Sequence, residues 1–254
     1  VQYGGRLSSV INIEPNFGNT DHWKGDYSIS FITSKFHIEG PLKKDTASFI
    51  ISARTSYSDW LLSRIRDTTI NKSSTRFNDF SVGVNHDFKN TQTSLFVYHS
   101  YDHFRLSSID TYEYSNTGAS FTAGHNFSKS LRGEFSLIGS EYMFSTVNKL
   151  QALTAYQHSY KLDHYELRTG FRHHLSDKHS LEYGADIVIY KLDRGTIQPY
   201  GKESLVSSLT LGKEKGIESS LYISDSYDVT SWLNINLGFR YTLFNPLGPR
   251  TIFS

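Results

Sequence analysis

Apolar and polar residues alternate with a period of two along most of the chain. Between residues 180 and 191, the apolar positions are Leu181, Tyr183, Ala185, Ile187 and Ile189, and the residues between them include Glu182, Gly184, Asp186 and Tyr190. Between residues 232 and 244, Leu233, Ile235, Leu237, Phe239, Tyr241 and Leu243 alternate in the same way with Asn234, Asn236, Gly238, Arg240 and Thr242. Alternation over about 8 to 14 residues is typical of β-strands with one apolar and one polar face.

The alternation predicts eleven strands. Near the first of them, the apolar positions change phase between Phe31 and Phe36. Because a change of phase marks a bulge or a turn, we place a tight hairpin at Thr33 and Ser34. The predicted strands cover residues 25–32, 35–41, 46–58, 75–88, 92–106, 115–127, 131–146, 153–174, 179–194, 216–228 and 232–244.

The connections between these strands alternate in length. Short polar turns occur at 41–46, 89–92, 128–130, 175–179 and 228–231, and longer polar segments occur near 59–74, 107–114, 147–152 and 195–215. Transmembrane β-barrels combine short periplasmic turns with long extracellular loops. Several predicted strands also reach the roughly 9 to 11 residues that a tilted strand needs to cross a bilayer. The sequence therefore predicts an all-β protein with an antiparallel transmembrane β-barrel.

Composition supports this fold class and excludes others. Tyr, Phe and Trp make up 15% of the 254 residues, and aromatic side chains favour strands. The chain has no Cys, and its 26 basic and 25 acidic residues form no basic patch of the kind that binds nucleic acid. No stretch approaches the roughly 18 consecutive apolar residues of a transmembrane helix. This excludes a helical membrane protein and leaves the barrel, whose strands look hydrophilic on average.

An odd number of strands indicates an unfinished barrel. Eleven antiparallel strands end on the side opposite to their start, whereas bacterial single-chain barrels have even strand numbers. Pro246 and Pro249 follow the last predicted strand, and we expect neither to continue the sheet. We therefore expect the sequence to be a segment of a longer protein.

Three stretches resemble one family in the expected order. Residues 3–13, YGGRLSSVINI, resemble the end of the plug domain of TonB-dependent outer-membrane receptors. Residues 38–62 and 220–244 resemble barrel hairpins of the Bacteroidetes-type members. The resemblance implies a plug end at 1–13, a linker at 14–24 and, at 25–254, the first half of a barrel of about 22 strands.

This resemblance also implies function, location and partners. The protein would lie in the bacterial outer membrane, in contact with its lipid, and take up a scarce ligand with energy from a TonB complex. The TonB complex would bind through a part of the protein that this sequence does not contain. The ligand stays open among small molecules, chelates, glycans and peptides, and we expect no nucleic-acid partner. The ending of the plug favours a receptor without a lipoprotein lid.

The alternation assigns candidate residues to the two faces of the barrel wall. The lumen-facing candidates are Glu134, Arg168, Arg172, Glu182, Asp186 and Arg240. The lipid-facing candidates are Ile187, Ile189, Leu237 and Phe239. We interpret the carboxylates of the first group as partners of its arginines. A general acid and base pair is the less favoured interpretation.

Histidines are the strongest candidates for a metal site. His173, His174 and His179 lie close in sequence, and His99 and His103 share a face of one strand. Successive residues of a strand point to opposite faces, so His173 and His174 cannot both bind one ion. We expect no catalytic residue, no metal and no cofactor.

A short segment, residues 56–65, has helix-like spacing after Asp59, which we interpret as its cap.

Two other functional classes remain open. A passive, porin-like outer-membrane barrel needs an even, closed set of strands. A soluble all-β module that binds carbohydrate would use Tyr and Trp as sugar platforms and would pack its apolar faces together.

Overall fold

The described part of the chain folds into one antiparallel sheet. The computed structural model describes Gly4, residues 18–107 and residues 110–247. Its strands are β1 (Lys24–Ile29), β2 (Thr33–Lys43), β3 (Ala47–Ser56), β4 (Ser74–Phe88), β5 (Thr91–Leu106), β6 (Asp110–Asn126), β7 (Leu131–Asn148), β8 (Tyr156–His174), β9 (His179–Pro199), β10 (Leu209–Thr210), β11 (Lys213–Thr230) and β12 (Leu233–Pro246).

Sequence neighbours are also neighbours in the sheet. The order is β1 to β9, then β11 and β12, and the two-residue strand β10 pairs with β9. Along this path eleven strands succeed one another, which is the number that the alternation predicts. Among the described residues, β1 and β12 each pair on one side only, so the sheet is open. The predicted fold class, an incomplete antiparallel barrel wall, is confirmed.

The sheet forms a single layer. Its buried apolar side chains in the described segments are Ala47, Ala155, Val188 and Tyr222. Most of its large apolar side chains are instead exposed on one face, as Ile187, Leu221 and Phe239 illustrate. A two-layer sandwich would bury that face between its sheets.

The first hairpin lies earlier than predicted. Thr33 and Ser34 belong to β2, where they pair with Ser56 and Thr55 of β3. The turn is closed by a hydrogen bond of 2.8 Å from the Ser30 amide to the Thr33 carbonyl oxygen. The Ser30 hydroxyl also accepts a hydrogen bond from the Thr33 amide. The change of phase therefore reflects two apolar residues at the tip of a turn.

The last strand continues past the predicted end and includes Pro246. Pro246 lies opposite Gly216, and the Leu247 amide donates to the Lys215 carbonyl oxygen at 2.7 Å. Amide groups alternate in direction along a strand, so the nitrogen of Pro246 points to the unpaired side of β12. A proline is tolerated there because no hydrogen bond of the ladder is lost.

Three further boundaries differ from the prediction. Residues 110–114, which we predicted as a loop, are the start of β6. The predicted loop at 195–215 is shorter, because β9 extends to Pro199, β10 pairs with Thr196 and Ile197, and β11 begins at Lys213. A short 3₁₀ helix at Ala152–Thr154 delays the start of β8.

The connections lie at two ends of the sheet. The short-turn end carries residues 44–46, 89–90, 127–130, 175–178 and 231–232. The long-loop end carries residues 30–32, 57–73, 107, 149–155 and 200–212, with helices α1 (Asp59–Leu62) and α2 (Thr68–Asn71). Within the described segments, no helix is long and apolar enough to cross a membrane.

Candidate functional site

The strand register places charged residues of β7, β8, β9 and β12 on one face, which we call the polar face. Arg168 of β8 lies directly between Ser136 of β7 and Asp186 of β9. Tyr222 of β11 lies opposite Arg240 of β12. Since alternate residues of a strand share a face, the register brings together six candidates from the sequence. These are Glu134, Arg168, Arg172, Glu182, Asp186 and Arg240.

Four of these candidates form two arginine–carboxylate ion pairs with one another. Arg240 Nη2 lies 2.8 Å from Asp186 Oδ2 and 3.0 Å from Oδ1, and Arg172 Nη2 lies 2.7 Å from Glu182 Oε1. The side chains of Arg240 and Asp186 are only 13% and 7% exposed. Such a buried pair holds its strands in one register, because separating the charges would leave one of them without a partner.

The alternation missed a third pair. Arg168 binds Glu166 on its own strand at 2.5 Å, and His164 Nε2 lies 3.2 Å from the other carboxylate oxygen of Glu166. These three residues are two positions apart on one face, and this spacing in the sequence could have revealed the cluster. Glu134 forms no ion pair with any described residue. It lines a small cavity together with Arg132, Arg172 and Glu182.

Aromatic rings continue the polar face toward the long-loop end. The aromatic wall consists of Phe104, Tyr112, Tyr114, Tyr142, Phe144 and Tyr160 from β5 to β8. Neighbouring rings have centroid distances of 5.0 to 6.4 Å. Phe144 lies directly between Tyr114 and Tyr160 in the register. Tyr160 is eight residues from Arg168, which corresponds to about 27 Å along a strand.

The opposite face carries an apolar band. On β9 the band runs from Leu181 to Ile189 and includes Ile187, which is 44% exposed. On β12 it includes Leu237 and Phe239. Charged residues replace apolar ones on this face at its long-loop edge, as Glu141, Asp163 and Lys191 show at consecutive positions across β7, β8 and β9.

The candidate histidines bind separate partners. His103 Nδ1 lies 3.3 Å from Glu113, His99 Nδ1 lies 2.9 Å from Thr117, and His179 Nδ1 lies 2.8 Å from Asp225. His173 and His174 are successive residues of β8 and point to opposite faces. No group of three or more metal-binding side chains occurs among the described residues.

Helix α1 is held against the sheet by Asp59. This carboxylate accepts hydrogen bonds from the Ser74 hydroxyl, the Thr75 amide and Arg76. Burial raises the pKa of Asp59, but these hydrogen bonds and the Arg76 charge outweigh it, so the pKa lies below the ordinary 3.8. The prediction that Asp59 caps the helix is wrong, because Ser58 occupies the N-cap position.

Trp60 of α1 lies at the tip of the first hairpin, where its Nε1 donates to the Phe31 carbonyl oxygen at 2.8 Å.

Solved structures share this fold. The ferric preacinetobactin receptor BauA from Acinetobacter baumannii matches with a TM-score of 0.66 and 13% identity, over 89% of this chain and 41% of that chain. The ferric-catecholate import receptor Fiu from E. coli, in its open form, matches with a TM-score of 0.65 and 9% identity, over 90% of this chain and 45% of that chain. A variant of the ferric enterobactin receptor PfeA from Pseudomonas aeruginosa matches with a TM-score of 0.62 and 12% identity, over 91% of this chain and 40% of that chain.

These likenesses concern the fold. No protein-family model and no curated protein matches the sequence. The chain spans less than half the length of the three receptors. Its sheet has the fold of a segment of such receptors, as the sequence resemblance predicted.

Proposed function

We propose that this chain is part of an outer-membrane receptor that imports a ligand with energy from a TonB complex. The observation that carries the proposal is a single-layer sheet with one apolar and one polar face. In a bilayer, such a sheet satisfies its backbone amides between strands and exposes the apolar face to lipid. The fold that this chain shares with segments of the receptors BauA, Fiu and PfeA supports the same function.

The dimensions of the apolar band suit a bilayer. The eight intervals from Leu181 to Ile189 correspond to about 27 Å along the strand, which a tilt of about 40° reduces to about 21 Å. Barrels of this kind have an outward apolar band about 25 Å tall. We therefore assign Ile187, Ile189, Leu237 and Phe239 to the lipid side.

The polar face then lines the lumen, with the six charged candidates in its interior. The predicted plug end at residues 1–13 lies outside the described residues except for Gly4. A side-chain carbon at Gly4 would fall 2.0 Å from Arg240 Nε, so Gly4 lies directly against this arginine. A plug segment inside the barrel would make this contact.

Our proposal for the ligand is a ferric chelate with aromatic groups. The aromatic wall belongs to the polar face, which we assign to the lumen, so its rings do not contact lipid. Flat rings at this spacing stack on aromatic groups, and the tyrosine hydroxyls add hydrogen bonds. BauA, Fiu and PfeA are named as receptors of ferric preacinetobactin, ferric catecholates and ferric enterobactin.

An uptake assay tests the proposal. Cells that lack the gene are complemented with the full-length protein and given an ⁵⁵Fe-labelled tris-catecholate chelate. We expect energy-dependent accumulation that disappears in a strain without the TonB complex. Accumulation that persists without TonB would identify a passive pore instead.

The aromatic wall needs its own variant and control. Phe144→Ala/Tyr160→Ala removes its centre, and Tyr98→Ala removes an aromatic side chain of the polar face outside the wall. Because stacking on one aromatic side chain contributes about 0.5 to 1.5 kcal/mol, we expect the double variant to weaken chelate binding about tenfold. Equal binding by the double variant and the control would reject the wall as the ligand contact.

A further inference from the structure

Two lysines face each other at the long-loop edge of the apolar band. Lys191 of β9 and Lys215 of β11 are direct partners in the register. Like charges directly opposite one another destabilise a strand pair. No carboxylate of a described residue lies within 4.0 Å of either ammonium group. The two lysines therefore concentrate positive charge at this point. Asp163, the register partner of Lys191 on β8, lies 3.3 Å from Lys161 instead.

The neighbouring acidic pair shows the contrast. Glu141 and Asp163 are also direct partners, on β7 and β8, and Lys161 binds both carboxylates, at 2.5 and 3.3 Å. Further along, Lys213 binds Asp193 at 2.8 Å. The acidic pair thus has a cation within 3.3 Å of each carboxylate, whereas neither facing lysine has a carboxylate of a described residue within 4.0 Å.

An apolar groove lies directly below the two lysines. One step along the ladder toward the short-turn end, about 7 Å away, Ile189 pairs with both Tyr165 and Ile217. The Lys191 ammonium lies 5.1 Å from the centre of the Tyr165 ring. From there the groove extends across β8 to β5 and is lined by Leu95, Phe121, Leu137, Tyr165, Leu167 and Ile187.

The floor of this groove contains Gly139, which lies opposite Tyr165. A side-chain carbon at Gly139 would meet only the edge of the Tyr165 ring, at 3.6 Å, so the absence of a side chain keeps the groove open. Two cations above an apolar groove suit an amphiphile whose anionic head group contacts the lysines and whose acyl chain lies in the groove.

We propose that Lys191 and Lys215 bind the phosphate of a phosphorylated membrane lipid whose acyl chain occupies the groove at Gly139. The inference rests on the proposed function, because it needs the apolar face to lie in a membrane. A phosphate between the lysines would replace their repulsion by two charge-assisted hydrogen bonds. The lysine stems would extend along the apolar surface and keep their charges at the head-group level.

Lipid titration of the full-length protein tests this site. Wild-type protein is extracted from outer membranes, stripped of lipid in detergent and titrated with a bis-phosphorylated glycolipid, its dephosphorylated form, or inorganic phosphate. Bound lipid is counted by native mass spectrometry. Lys191→Gln/Lys215→Gln removes the head-group contact, Gly139→Leu fills the groove, and Lys129→Gln/Lys178→Gln is the control at the short-turn end.

We expect the wild type and the control to bind the phosphorylated lipid alike. The Lys191→Gln/Lys215→Gln variant should bind it about 25-fold more weakly, since each lysine near a membrane surface contributes about fivefold. Gly139→Leu should weaken lipid binding while leaving both lysines in place. Equal lipid binding by all variants would overturn the proposal, as would a response to inorganic phosphate equal to that of the lipid. Wild-type protein absent from the outer-membrane fraction would instead reject the proposed function.

Discussion

The substitution Ile187→Arg tests the energetic meaning of the apolar band. Ile187 lies two residues from Ala185, the centre of the band on β9, or about 7 Å along the strand. Arginine on the lipid face costs about 2 to 4 kcal/mol near the midplane and about 0 to 1 kcal/mol near the interfaces. We therefore expect Ile187→Arg to destabilise the assembled protein by about 2 to 4 kcal/mol.

Two further variants make this expectation specific. Leu237 lies opposite Asp225 at the short-turn edge of the band. Leu237→Arg should therefore destabilise the protein less than Ile187→Arg does, because the new arginine lies near the interface and has Asp225 as a partner. Ser140→Arg places the same side chain on the polar face, at an exposed position beside Gly139, and should be tolerated.

The assay is the fraction of full-length protein that migrates as a folded, heat-modifiable species in outer-membrane extracts at equal expression. The expected order is wild type equal to Ser140→Arg, then Leu237→Arg, then Ile187→Arg. Equal losses for Ile187→Arg and Ser140→Arg would refute the assignment of the two faces.

Three other predictions concern topology, the buried ion pair and acid sensitivity. An impermeant thiol reagent should label Lys202→Cys on whole cells and leave Asp177→Cys unlabelled until the cells are opened. Arg240→Met should cost about 3 to 5 kcal/mol in a denaturant titration, because Asp186 then stays buried without its cation, and Arg240→Met/Asp186→Leu should recover most of the loss. Asp59 has a folded pKa below 3.8, so its stabilising contribution is present above that pH and is lost as the pH falls through the folded pKa.

Each of these has an outcome that contradicts it. The reverse labelling pattern would invert the orientation of the sheet. A double variant at the ion pair no more stable than Arg240→Met would show that the remaining carboxylate is not the source of the loss. For Asp59, limited proteolysis of residues 57–73 between pH 5 and 2 should accelerate in the wild type only below about pH 4. Asp59→Asn should be cleaved at one rate across this range, and the same acid-induced acceleration in that variant would exclude the carboxylate.

The sequence predicted the strands well because alternation is a local signal. Asp186 and Ile187 differ in face simply because they are neighbours in an extended chain, and no tertiary information is needed to see it. The first hairpin was misplaced because Phe31 and Ile32, two apolar residues, occupy the tip of the turn. Such a tip looks like a continuing strand to any rule based on polarity.

Contacts between strands were harder to predict. Pairing of Arg240 with Asp186 depends on two intervening registers, and neither is encoded within one strand. The aromatic wall was missed because its rings lie on the polar face, where the alternation gives no reason to expect them. The repeat Tyr112-x-Tyr114, with Glu113 between the two tyrosines, is the local signal that could have revealed it.

The most direct test of the account is the environment of adjacent faces in the reconstituted protein. Nitroxide spin labels at Ile187→Cys and Ser140→Cys of the full-length protein in liposomes are compared for collisions with molecular oxygen and with a water-soluble nickel chelate. We expect high oxygen and low nickel accessibility at position 187, with the opposite ratio at position 140. Equal nickel accessibility at both positions would contradict the claim that one face of this sheet lies against lipid and the other lines an aqueous lumen.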